Sequence, residues 1–138
     1  MLTALQVRNY VLIDSLEIDF PEGLIIITGQ TGAGKSILLG ALSLVMGAKA
    51  DASMVSEGAD NCVVEAEFET ADKTLQNVLE ENEVEWEEGH ITIRRVVNRS
   101  GRSRAFVNDS PVPVTLLQEI SGRIIDIHSQ HQTLLLSD

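Results

Sequence analysis

Gly29, Gln30, Thr31, Gly32, Ala33, Gly34, Lys35 and Ser36 match the pattern G-x-x-x-x-G-K-[ST] at every fixed position. That spacing suits an anion carrying several phosphates. The three glycines let the backbone turn tightly and approach phosphate without a Cβ in the way. Successive backbone N–H groups then converge on the anion, aided by the positive end of the following helix. Lys35 is placed to reach the β- and γ-phosphates, and the Ser36 hydroxyl to coordinate Mg²⁺. A glycine-rich turn could match by chance, but the flanks argue otherwise. Residues 24–28 (Leu-Ile-Ile-Ile-Thr) read as a buried strand and residues 36–46 as a helix, giving strand, loop and helix in the required order. The expected ligand is a nucleoside triphosphate with Mg²⁺.

The elements that must position this loop are mostly strands. Residues 3–7 read as a first strand, followed by a turn at Arg8, Asn9 and Tyr10. Residues 16–20 alternate apolar and acidic side chains, the pattern of a half-buried strand. Pro21-Glu22-Gly23 marks a turn into the loop strand, so the first strands are expected to run antiparallel. The helix after the loop is apolar nearly all round, which predicts burial on several sides, with Gly47 as its C-terminal cap.

Further on, residues 62–68 alternate again, and Asp72 is positioned to cap a helix carrying Leu75, Val78 and Leu79 on one stripe. The acid-rich residues 80–88 around Trp86 read as a solvated, mobile connection, with Trp86 a cover over neighbouring strands. Residues 91–97 and 105–107 form a strand pair around a basic turn at residues 98–102, and Asn108-Asp109 closes a further turn. A short helix follows, with Thr115 and Gln118 at capping-box spacing, Leu116, Leu117 and Ile120 on its stripe, and Gly122 after it. Residues 124–127 read as a last strand. The organisation expected is strands 3–28, loop and helix 29–46, an antiparallel subdomain at about 62–110, and a helix and strand at about 113–132. This is an α/β (α+β) fold. The alternating β-α units of a complete nucleotide-binding sheet are missing, so the expectation is half of a larger domain, cut short at its end.

The 138 residues carry a formal net charge of −11, which argues against whole-surface affinity for nucleic acid. Yet Arg94, Arg95, Arg99, Arg102 and Arg104, half of all Lys and Arg, fall within eleven residues that contain no acid. They either line a solvated strand face and pair with the glutamates, or form a patch for phosphate. Cys62 is the only cysteine and lies on an apolar strand, so it reads as a buried small hydrophobe. With no signal segment and no apolar run near the ~20 residues that span a bilayer, a soluble, cytoplasmic protein is expected. His128 and His131 lack the further ligands of a zinc site.

With these residues in hand, the sequence resembles the N-terminal part of the RecN family of bacterial DNA repair proteins. These are relatives of SMC proteins with ATPase heads of the ABC type. The carriers are L-x-V-R-N-Y-x-L-I-D at residues 5–14, I-T-G-Q-T-G-A-G-K-S at 27–36, S-G-R-S-R-A-F-V-N at 100–108 and I-D-I-H-S-Q-H-Q at 125–132. The resemblance implies that residues 29–36 are the Walker A loop of an ATP site. It implies that Gln130 is the Q-loop glutamine that helps hold Mg²⁺ and orient water, and that Arg8 and Asn9 come near the phosphates. It also implies DNA as partner of the full-length protein, an ATP-dependent head–head homodimer, and nucleoid association.

The acids that complete hydrolysis are not evident. The run Ile124-Ile125-Asp126 is too short for a Walker B strand and has no Glu after its Asp, and no L-S-G-G-type signature occurs. In the family both lie in a C-terminal half beyond a coiled coil. The alternatives are a stand-alone phosphotransferase or GTPase, and a non-hydrolysing nucleotide-binding module. The GTPase motifs N-K-x-D and D-x-x-G are absent, and the intact Lys35-Ser36 pair argues against a degenerate loop.

Overall fold

The computed structural model describes residues 2–20, 32–128 and 133–136. Its first element, β1 (Leu2–Tyr10), turns back into β2 (Ile13–Asp19) as an antiparallel pair. Residues 8–10, expected as the turn, instead complete β1, and the reversal falls at Val11 and Leu12. The cause lies far along the chain. Ser56 N–H donates to the Asn9 carbonyl and Val11 N–H to the Met54 carbonyl, both at 2.9 Å, while Tyr10 bridges Val55. This clasp holds Asn9 and Val11 at φ of 53° and 51°. No local pattern announces it.

After the loop, α1 (Gly32–Val45) begins inside the phosphate-loop motif, several residues earlier than the apolar pattern indicates. The chain then continues through a short 3₁₀ turn (Ala52–Met54) into β3 (Asn61–Glu69), α2 (Lys73–Glu81), β4 (His90–Asn98) and β5 (Ser103–Val107). Last come β6 (Ser110–Val112), α3 (Val114–Ile124), β7 (Ile125–His128) and β8 (Thr133–Leu136). Six strands form one antiparallel sheet in the order β2-β1-β3-β4-β5-β6, and β7 pairs with β8 in a separate two-stranded sheet. The two N-terminal strands therefore share a sheet with residues 61–112.

Alternation divides this sheet into two faces. Val7, Cys62, Val64, Ala66, Phe68, Ile91, Ile93, Val97, Ala105 and Val107 are buried and join Leu42, Leu44 and Val45 of α1 in the core. Leu75, Val78 and Leu79 of α2 and Leu116, Leu117 and Ile120 of α3 belong to the same core. Asp72 caps α2 as its residue type suggests, its carboxylate accepting from Thr74 N–H at 2.9 Å. The acidic connection after α2 is built in rather than loose. Val84 N–H donates to the Leu79 carbonyl at 2.8 Å, Val84 is buried, and Trp86 packs on the core.

At α3 the local reading fails. The helix starts at Val114, so Thr115 is not its cap, and it runs through Gly122 to Ile124. The Gln118 amide leaves its own helix and donates to the Gly47 carbonyl at 3.0 Å. β6 is also unannounced, being a three-residue edge strand containing Pro111.

The C-terminus of α1 is where helix, sheet and α3 meet. Gly47, at φ +98°, ends the helix, with Ala48 N–H on the Ser43 carbonyl at 3.0 Å and Gly47 N–H on the Leu44 carbonyl at 3.1 Å. Arg95 of β4, 1% exposed, sits on the inward face among Ile91, Ile93 and Val97. Its guanidinium donates to the Leu44 carbonyl at 2.7 Å, the Ala48 carbonyl at 2.8 Å and Ser103 Oγ at 2.9 Å. Truncation strands these acceptors in the core. Arg95→Ala is expected to lower the unfolding free energy by about 3 kcal/mol. Arg95→Lys should recover only part, since a single ammonium cannot reproduce the fork. Urea midpoints of the variants check this, and a loss under about 1 kcal/mol for Arg95→Ala would count against it.

Candidate nucleotide-binding site

Of the expected site residues, the structure brings Gly32, Ala33, Gly34, Lys35 and Ser36 into the first five positions of α1. Gly29, Gln30, Thr31 and Gln130 lie outside the described residues. A helix start of this kind leaves backbone N–H groups without intrahelical acceptors at the positive end of the helix dipole. No acidic residue occupies the first turn, and Ser36 is exposed. These residues fit a triphosphate with its Mg²⁺: donors and a lysine for the anion, a hydroxyl for the cation.

The far end of β1 is fixed close to this turn. Tyr10 is buried, and its hydroxyl lies where a Cβ on Gly40 would have to be. Gly40 is thus needed for close approach. It lies four residues beyond Ser36, or about 6 Å along the axis. Arg8 and Asn9 therefore emerge just ahead of a residue locked against the phosphate-loop helix. Arg8 is exposed and alternates with buried Val7, which puts it on the sheet face turned away from the core. Sequence reasoning missed Tyr10 as the anchor because its partner is a helical glycine thirty residues away.

Burial sets the titration of this neighbourhood. Tyr10 is held above the ordinary phenol value, first by burial and then by Cys62 and Asp51. Cys62 is fully buried, and loss of water pushes its thiol from 9.0 up to about 11. Burial likewise lowers the Arg95 value.

The arginine-rich segment divides. Arg95 is the buried latch. Arg94 lies 4.5 Å from the Phe106 ring centroid and pairs with Glu65 at 3.6 Å and Asp109 at 2.9 Å. Arg99 pairs with Asp60 at 3.6 Å. Arg102 and Arg104 are exposed and have no partner among the described residues.

Residues 4–134 match the family described as AAA domain. The chain belongs to that family. Membership implies nucleotide binding, in keeping with the start of α1. The chain is also 41% identical over 132 residues to the DNA repair protein RecN of Vibrio cholerae, covering 95% of this sequence and 24% of that one. The resemblance to RecN thus extends over nearly the whole chain, which spans about a quarter of the length of such relatives.

Among solved structures, it is similar to one from work on ATP-driven dimerization and DNA-stimulated activation of SMC ATPases. That match has a TM-score of 0.65 at 20% identity and covers 88% of this chain and 77% of that one. An SMC head domain from Thermotoga maritima matches with a TM-score of 0.56 at 24% identity, over 89% and 41%. The fold is that of an SMC-type head with its antiparallel sheet. No helix among the described residues is long and apolar enough to cross a membrane.

Two consequences are measurable. Gly40→Ala is expected to cost about 1–3 kcal/mol by displacing Tyr10. In a Tyr10→Phe background the same change should be neutral or stabilising, since the obstructing oxygen is gone and Ala favours helix. Equal costs in both backgrounds would refute the contact.

The second consequence concerns alkaline stability. The folded pKa of Cys62 is raised, so its contribution is whole below about pH 9 and is lost as pH rises through about 11. Cys62→Ala should therefore reduce the stability lost between pH 8 and pH 11 by about 2 kcal/mol in urea titrations.

Proposed function

We propose that this chain is the ATP-binding N-terminal head lobe of a RecN-like protein acting in DNA double-strand break repair and recombination. One observation supports it most. The G-Q-T-G-A-G-K-S motif leads into a 14-residue helix whose first five residues include Lys35 and Ser36 and no acid. That helix belongs to a fold of the SMC-head type, in a chain similar to proteins named for DNA repair.

Residues 29–34 would wrap the phosphates with backbone N–H groups, Lys35 would balance charge on the β- and γ-phosphates, and Ser36 would hold Mg²⁺. Gln130 would be a further Mg²⁺ ligand and orient water, with Arg8 and Asn9 near the phosphates. When bound, Mg²⁺ neutralises charge that develops on the triphosphate. Hydrolysis would require carboxylates and a signature segment from a C-terminal head half, closing over the site in a head–head homodimer. The setting would be the cytoplasm, in association with the nucleoid.

The test is Mg·ATP binding by the full-length protein. Lys35→Ala is expected to weaken it roughly tenfold to a hundredfold, the value of a charge-assisted contact to phosphate. Equal affinity by calorimetry would defeat the proposal.

A further inference from the structure

The outward face of the sheet carries a groove of about 510 Å³ at the β4–β5 hairpin, with Val96 and Phe106, Asn61 and Asn98, and Arg102 and Arg104 in its lining. A second groove of about 500 Å³ adjoins it across β5, sharing Ser103, Arg104 and Phe106 and reaching Pro113. Neither lining includes a carboxylate, in a chain with 21 acids. The charged groups facing this track are two guanidiniums, and both lack partners among the described residues.

These arginines stand on a stiff support. The Asn98 side-chain oxygen accepts from Ser100 N–H at 3.0 Å, Ser100 Oγ–H at 2.6 Å and Arg102 N–H at 3.1 Å. Asn98 N–H in turn donates to the Arg102 carbonyl at 2.9 Å. Arg104 is paired in register with Val96, while its neighbour Ser103 is tied to buried Arg95. Phe106 carries Arg94 over its ring, and Arg94 is itself fixed by Glu65 and Asp109.

Arg102 and Arg104, two residues apart in extended chain, are spaced about 6.7 Å. Adjacent phosphates of one DNA strand, stepped by about 3.4 Å along the axis and rotated about it, lie roughly 6–7 Å apart, so the two spacings match. Two unpaired forks, amides and an apolar floor suit a phosphate–sugar backbone.

We propose that this face is a DNA-contact track, in which Arg102 and Arg104 bind consecutive backbone phosphates over the Val96–Phe106 floor. The assignment rests on the DNA repair reading given above. It places DNA at β4–β5 on the sheet face turned away from the core that α1 packs into, two to three strands from Arg8 on β1, so the nucleotide site and the track can be disabled separately.

The experiment uses the full-length protein, a labelled duplex of about 30 base pairs, and anisotropy titrations from about 50 to about 200 mM salt. Arg102→Gln/Arg104→Gln should reduce the log–log salt slope by about 1.8, so that the salt increase costs the variant roughly twelvefold less affinity than wild type. Arg102→Lys/Arg104→Lys should retain the wild-type slope, and Mg·ATP affinity should be unchanged in both variants. Since both side chains are exposed, the unfolding midpoint should also be unchanged.

A slope equal to wild type in the Gln variant would overturn the track while leaving the ATP-site reading intact. So would a slope unchanged for DNA but lowered for polyglutamate, which would make the occupant an acidic peptide. Absence of DNA binding by wild type would overturn both the track and the repair reading.

Discussion

A guanidinium taken out of water is costly unless its donors are met, and here it is met by the end of a helix. Arg95 donates to two carbonyls at the C-terminus of α1 and to a hydroxyl on the adjacent strand. The Leu44 carbonyl belongs to the last turn of the helix and the Ala48 carbonyl follows just past it, both at the negative pole of its dipole. One side chain therefore answers two problems, an orphaned helix end and a buried charge, and it does so across the sheet–helix interface. Nε alone is without a partner among the described atoms. The Gln118 amide donates to the Gly47 carbonyl, bringing α3 into the same joint. With Tyr10 seated against Gly40, α1 is held at its end and at its middle. Its other end bears Lys35 and Ser36.

Strand alternation explains how neighbouring residues of one type come to do unlike work. On β4, Arg94 and Arg95 differ only in parity. The inward position turns Arg95 into a structural latch, and the outward one lays Arg94 over Phe106 between two carboxylates. Arg99 is spent on Asp60 at the hairpin, leaving Arg102 and Arg104 as the uncommitted charges. The reading of arginines paired with acids thus holds for Arg94 and Arg99, and Arg102 and Arg104 are the members left for the proposed phosphate contact. The exposed pairs contribute little to stability, because surface ion pairs are worth about 0–1 kcal/mol.

What the sequence made legible was whatever is decided locally or by period. The alternation of residues 62–68 and 91–97, the Asp72 cap, the Gly47 stop and the phosphate-loop spacing each depend on neighbours a few residues away. What it hid was decided by distant partners. The turn moved from residues 8–10 to 11–12 because backbone from residues 54–56 pairs with β1. Gln118 left the expected capping box for a carbonyl 71 residues away. Arg95 was legible in principle: an arginine in phase with Ile91, Ile93 and Val97 is pointed at the core, and parity, not composition, carried that signal. The loop residues 29–31 and Gln130 lie outside the described structure, so the site was read from motif and helix start alone.

The two ends of α1 raise the question of whether latch and nucleotide communicate through charge. Fourteen residues put them about 21 Å apart. Over that distance a pair of unit charges is worth about 0.8 kcal/mol at an effective dielectric of ~20, before salt screening with a Debye length of about 8–10 Å removes most of it. The three hydrogen bonds of Arg95 are worth several times more. Its influence on the nucleotide end is therefore mechanical. A helix clamped at its far end and wedged at its middle presents its first turn at a fixed height and angle. Phosphate binding at a helix start depends on that placement, since donors a few tenths of an ångström out of line lose much of their strength.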